Sequence, residues 1–326
     1  MTFNKATDTP DAGEEATYEL TLALGRTEKG IKAAFVRLLR ATTSEYTLMG
    51  IARTLERGGS VEDALRYLTA HLGLFAQEIT DEYIQSGRDA ATYISQQTGV
   101  MVTFDQVNTR AVRYLQDNQF RLIQQFTQQQ VDATRQALVR GTTEGLNPRA
   151  QARAFRDSIG LTSYQEQVVH NFRTKLEAGQ VPDNKLRDRR FDRTIARGNL
   201  TAAQIGKMTG RYRERMIAYR ATTIARTEAL RAVNSGTEDM FEQAMDSGTI
   251  SRDDVLRTWN TARDERVRSS HSSINGEVRG PGEAFVTEKG NMLMFPGDPN
   301  APAEETIQCR CVLTTELKPI QKEIAA

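Results

Sequence analysis

No stretch of this chain approaches the roughly 18 consecutive apolar residues that a membrane helix needs. Charge of one sign is equally lacking: 43 Lys and Arg stand against 42 Asp and Glu, a net charge of +1, so any affinity for a polyanion must come from a local patch. The first residues do not join a basic start to an apolar run, and positions 8 to 19 are acidic and Thr-rich, which argues against a signal peptide. Only two cysteines occur, one residue apart. With no export signal they read as reduced thiols or metal ligands, because a bridge closing so small a loop would constrain the unfolded chain very little. A Gly-rich phosphate loop and a Ser nucleophile elbow are missing, and no Cys-His dyad with a supporting acid stands at a recognisable spacing.

What is present is mostly helical periodicity, in a chain long enough for two domains. Residues 1–12 read as a disordered tail and 13–178 as a helical N-terminal domain. Leu20, Leu24, Ile31, Phe35, Leu38 and Leu39 recur at three and four spacing, one face of an amphipathic helix or helix pair. Ser60, followed by Glu62 and Asp63, looks like a cap for the helix through Leu65 and Leu68, and the segment 71–97 ends near Gly99. From Thr103 to about Arg140 there is neither Pro nor Gly, which predicts one helix roughly 55 Å long. Its Gln-rich middle suits either solvent or another protein. Asn147 before Pro148 marks a further helix start, and Thr162 with Gln165 forms a capping box for a helix ending near Glu177.

A basic connector is expected over 179–219. Between Asp183 and Arg231 thirteen Lys or Arg stand against five acids, with Phe191, Tyr212 and Tyr219 interleaved. Lys185, Arg187, Arg189, Arg190, Arg193 and Arg197 are the candidate contacts to DNA or an acidic partner, since guanidinium groups bind phosphate bidentately. The competing reading is a solvated face whose bases pair with acids elsewhere in the chain.

After Gly248 the period becomes extended. Val255 to Asn260 can alternate as a strand, 284–287 and 292–295 flank Glu288-Lys289-Gly290-Asn291 as a hairpin would, and Val312 to Thr315 supply a last strand. The fold class expected is therefore a mainly α N-terminal region with long helices, followed by a small α+β domain over 220–317. There a helix from Ile217 to Met245 packs on a short antiparallel sheet. Residues 318–326 form a tail.

The scarce residues gather in that last domain. Trp259, His271, Cys309 and Cys311 lie within about fifty positions, alongside Asp264, Arg268 and Gly276. The ordered set of Arg226-Thr227-Glu228, Trp259, Asp264, Arg268, His271, Gly276, Pro296-Gly297-Asp298-Pro299 and Cys309-Arg310-Cys311 resembles the Mu F type of phage head morphogenesis protein. The resemblance covers about 130 to 317 and is tight from about 222 to 313. It implies a non-enzymatic minor head protein of a phage or prophage, present in few copies. It further implies a place at the portal vertex inside the capsid, with assembly in the bacterial cytoplasm, no membrane, and a part in DNA packaging or ejection. The implied partners are the portal protein, the major capsid or scaffold protein, and packaged dsDNA.

Three readings of the polar cluster stay open. In one, His271, Cys309 and Cys311 hold zinc, since residues two apart on a strand share a face and thiolate and imidazole are preferred zinc donors. Members of the resembling family often carry Cys-x-x-Cys where this chain has Arg268-Ser269-Ser270-His271, so here a fourth ligand would have to be Asp264, Asp298, a Glu or water. In the second, Asp264, Arg266, Arg268 and His271 form a structural ion-paired network and no cofactor is bound. In the third, the cluster is catalytic, a nuclease-like metal-dependent enzyme or effector with His271 as general base and Asp264 as metal ligand. The alternatives to a structural role are thus that enzyme and a DNA-binding packaging factor.

Overall fold

The computed structural model describes residues 12–44, 49, 50, 53, 54, 57, 63, 66–144 and 156–318. The Ser60 cap and the Asn147-Pro148 helix start lie outside them. Among the described residues the chain runs through six helices, α1 (Ala12–Thr42), α2 (Arg66–Thr98), α3 (Thr109–Thr143), α4 (Ser163–Glu177), α5 (Asp192–Ala196) and α6 (Ala202–Asp246). A strand-rich region follows: β1 (Val255–Asn260), α7 (Ser269–Ser272), β2 (Val278–Arg279), β3 (Phe285–Val286), β4 (Met292–Leu293), α8 (Ala303–Thr306) and β5 (Val312–Leu317). Long helices first and a small antiparallel sheet with helices last is the architecture the periodicity predicts. The structure splits into two compact units. One takes in the described residues up to Ile31, Glu78–Gln116 and those from Thr223 onward; the other takes in Lys32–Gln77 and Asp117–Thr222.

In the second unit Phe35 of α1 is fully buried, edge-on to Phe75 and Phe126 at 5.6 and 5.4 Å between centroids. The Arg220 guanidinium stands 4.9 Å over the Phe126 ring and donates to Gln129, so this buried base is held by a π face and an amide. Gln130, also buried, donates to the Ser158 carbonyl at 3.1 Å and accepts from the Gly160 amide at 2.8 Å. Part of the Gln-rich face of α3 is therefore spent inside the unit, while Gln124, Gln125 and Gln128 remain exposed. The helix expected from Thr103 begins instead at Thr109. Asn108 caps it by accepting the Arg110 amide at 2.9 Å, and Asp105 exchanges two bonds with the Gln243 side chain in place of helical ones.

Helix α4 opens with the capping box predicted for it, Thr162 and Gln165 each closing on the other's amide. Thr201 and Gln204 repeat the device at the start of α6. Residues 179–219 do not lie apart from a core. Ile195, Ile205, Met208, Tyr212 and Met216 bury against Phe172 and Leu176, with Tyr212 stacked on Phe172 at 4.1 Å.

In the first unit the C-terminal part of α6 is buried on every side from Thr227 to Gly236, as a helix enclosed by other elements must be. The sheet has order β2-β1-β5 and is antiparallel throughout, with Trp259 opposite Leu313 and Asn260 opposite Val312. Val255, Arg257 and Trp259 alternate onto its buried face. The predicted hairpin is β3 and β4, pairing Phe285 with Leu293. Leu230 and Val233 of α6 pack with Trp259, Phe285, Leu293 and Leu313 into a core that also contains both cysteines.

Candidate functional site: a buried thiol, imidazole and carboxylate cluster

Four local devices place the cluster. The β1 strand presents Trp259 inward; its carbonyl accepts the Gly276 amide at 2.7 Å, and Gly276 has φ +79°, a left-handed conformation that glycine adopts without strain. The short helix α7 carries Ser270 and His271 into the core. Helix α8 carries Glu305. Gln308 then takes φ +57°, kinking the chain just before Cys309.

That kink explains the Arg226-Thr227-Glu228 triplet of α6. Thr227 Oγ1 accepts the Gln308 amide at 3.1 Å, and the Gln308 side chain donates to Thr223. Arg226 pairs with Glu28 at 3.2 Å, and Glu228 pairs with Arg231 at 2.8 Å. Arg231 also donates to the Gly297 carbonyl and Asn234 to that of Pro296, so one helix fixes both the Pro-Gly-Asp-Pro turn and the approach to the cysteines. Within the turn, Asp298 accepts the amides of Met294 and Asn300.

The imidazole of His271 has its two nitrogens aimed at different chemistry. Nδ1 lies 3.5 Å from Cys309 Sγ and 3.4 Å from Cys311 Sγ. Nε2 lies 3.1 Å from Glu305 Oε2, an ion-pair distance reached off the line of a good hydrogen bond. Glu305 is fully buried and accepts from Ser270 at 2.9 Å and Asn291 at 2.9 Å. Burial works to raise the Glu305 pKa, but these donors and the imidazole outweigh it and hold the carboxyl below its usual range. Trp259 stands edge-on to the imidazole, 5.3 Å between centroids.

The two thiols titrate as a pair. The hydrogen bond from Cys311 holds Cys309 well below the usual thiol range despite burial, with His271 helping. The same hydrogen bond, together with burial, pushes Cys311 upward. A thiolate at Cys309 and a thiol at Cys311 is the arrangement this favours. The Cys311 amide also points at Cys309 Sγ, 3.4 Å away.

The other predicted residues lie around this centre. Asp264 pairs with Arg310 at 2.7 Å and accepts the Arg266 amide, and Arg268 donates to the Ile307 carbonyl, so two ties join 264–268 to 307–310. The Arg266 side chain is exposed. Sequence reasoning missed Glu305 and Asn291, which carry no spacing signal toward His271. It also missed Arg257, although the alternation of Val255, Arg257 and Trp259 places it on the buried face. Arg257 is 1% exposed and donates to the carbonyls of Gly280, Glu283 and Met294 and to Glu238.

The basic candidates divide. Arg187 pairs with Asp192, and Arg190 and Arg215 share Asp188. Lys185, Arg189, Arg193 and Arg197 are exposed and have no ion pair among the described residues.

Set beside known proteins, the family described as Phage Mu protein F like protein matches residues 132–314, more than half of the chain. The chain belongs to that family. Its members are phage head morphogenesis proteins, and the match spans both the basic segment and the whole thiol and imidazole cluster. No curated protein and no solved structure matches the chain. Among the described residues no helix is long and apolar enough to cross a membrane.

Proposed function

We propose that this Mu F-like chain is a non-enzymatic minor head protein that acts in assembly at the portal vertex, inside the capsid. The observation that carries the reading is the family match across residues 132–314. The portal protein is the partner proposed for the exposed polar helices, with the major capsid or scaffold protein as a second neighbour. Lys185, Arg189, Arg193 and Arg197, exposed and without an ion pair among the described residues, are charges suited to phosphates of packaged dsDNA. Burial supports a structural rather than a catalytic cluster. His271, Cys309 and Cys311 are each 1% exposed or less, which leaves a polymeric substrate no approach to them.

Quantitative mass spectrometry of purified heads tests the proposal, with this chain measured against the portal and the major shell protein. A few to about a dozen copies per particle are expected of a portal-associated component. Copies on the scale of the shell protein, or none in heads at any stage of maturation, would refute it.

A further inference from the structure

The geometry points to a zinc-type metal site formed by His271 Nδ1, Cys309 Sγ and Cys311 Sγ, with Glu305 as the outer carboxylate that fixes the imidazole. The three ligand atoms lie within 4.8 Å of one another, all on buried side chains. Zinc bound at about 2.3 Å to sulfur and about 2.05 Å to nitrogen in a tetrahedron sets its sulfur and nitrogen ligands roughly 3.5 Å apart. The two sulfur-to-Nδ1 distances, 3.5 and 3.4 Å, match that edge. A soft divalent ion therefore fits with the side chains where they stand.

The far side of the imidazole also fits a bound metal. A metal-bound histidine characteristically directs its other nitrogen to a carboxylate, which sets the tautomer and strengthens the donor. Here the carboxylate nearest that nitrogen is Glu305, 3.1 Å from Nε2 though off the line of a good hydrogen bond, and itself held by Ser270 and Asn291. Placing the Nε2 proton toward Glu305 leaves the Nδ1 lone pair facing the sulfurs. Both cysteines line a cavity of about 220 Å³, the space from which a fourth, non-protein ligand would come. The inference does not depend on where the protein sits in the particle.

The test uses the untagged full-length chain, purified without chelator and analysed for metal, then stripped and titrated with Co(II). About one zinc per chain is expected, with a sulfur-to-cobalt charge-transfer band on titration. Cys311→Ser and His271→Ala should lose both, and Glu305→Gln should bind the metal roughly 10- to 100-fold more weakly. Zinc-free protein with no cobalt band, or zinc retained in both ligand variants, overturns the site. So does a Cys309–Cys311 disulfide in freshly isolated protein. Should a ligand variant fail to fold, the cobalt spectrum of the wild-type chain and the Glu305→Gln affinity decide the matter.

Discussion

Glu305 lies 3.1 Å from Nε2 of His271, across the ring from the nitrogen that faces both cysteines. The carboxylate also accepts from Ser270 and Asn291, so three side chains, two from α7 and one from the β3–β4 turn, converge on one fully buried acid. Removing it leaves the buried Ser270 hydroxyl and the partly buried Asn291 amide without that acceptor.

The first prediction follows from that convergence. Glu305→Ala leaves the Ser270 hydroxyl and Asn291 amide without their acceptor and opens a void, at a cost of about 3 kcal/mol or more. Glu305→Gln keeps an acceptor oxygen and should cost less. Urea unfolding of the three proteins measures the difference. An alanine variant within about 0.5 kcal/mol of wild type would show that the cluster does not bear on stability.

A second, mostly but not fully buried acid gives a pH dependence with a defined sign. Burial pushes Glu238 up to about 7, against the pull of Arg257, whose Nη1 donates to it at 3.0 Å. An unfolded glutamate titrates near 4.5, so between about pH 4.5 and 7 the folded chain holds a proton that the unfolded chain has released. Stability then falls as pH rises through that window and levels off above it. At 1.36 kcal/mol per pKa unit the contribution is up to about 3 kcal/mol. Glu238→Gln should abolish it, so the stability gap between variant and wild type should change across the window. A gap that stays flat would mean that Arg257 keeps Glu238 charged throughout.

Much of the architecture was legible because it rests on local rules. Apolar spacing marked α1, the Thr162–Gln165 box marked the start of α4, and the Gly290 turn with its flanking apolar pairs marked the β3–β4 hairpin. The start of α3 was misread because absence of Pro and Gly permits a helix without requiring one. The Asn108 cap and the Asp105–Gln243 pairing decide against it, and the latter spans 138 positions. Glu305 escaped notice for the same reason: its partners His271 and Asn291 are set by the fold and not by spacing. The division into two units was also hidden, since at Thr222–Thr223 α6 passes from one to the other with no break in helical sequence.

Two glycines of α6 make opposite predictions. A Cβ on Gly236 would meet the Tyr83 carbonyl oxygen at 2.2 Å and the Gly87 amide nitrogen at 3.1 Å, so Gly236→Ala must push α2 away from α6. A loss of about 2 kcal/mol or more is expected, from overpacking against backbone. Gly206 has nothing within 4 Å of such a Cβ, and there alanine should stabilise the helix by about 0.5–1 kcal/mol. Thermal unfolding of the pair checks both signs, and a neutral Gly236→Ala would contradict the close helix approach.

The basic surface makes the last prediction, and the ion pairs decide which residues test it. Arg187 is a poor probe, because its two bonds to Asp192, at 3.2 and 3.1 Å, tie the chain locally and reversal would disturb the fold. Arg189, Arg193 and Arg197 are exposed and have no such bonds among the described residues, so their reversal to Glu should leave the unfolding transition unchanged. If these bases meet packaged DNA, each lost phosphate contact should lower the slope of log affinity against log salt by about 1, with little dependence on DNA sequence. Duplex binding by the folded triple variant, measured across a salt series, provides the check. Wild-type affinity and slope in that variant would remove this surface from DNA contact and leave an acidic protein face as the partner for those charges.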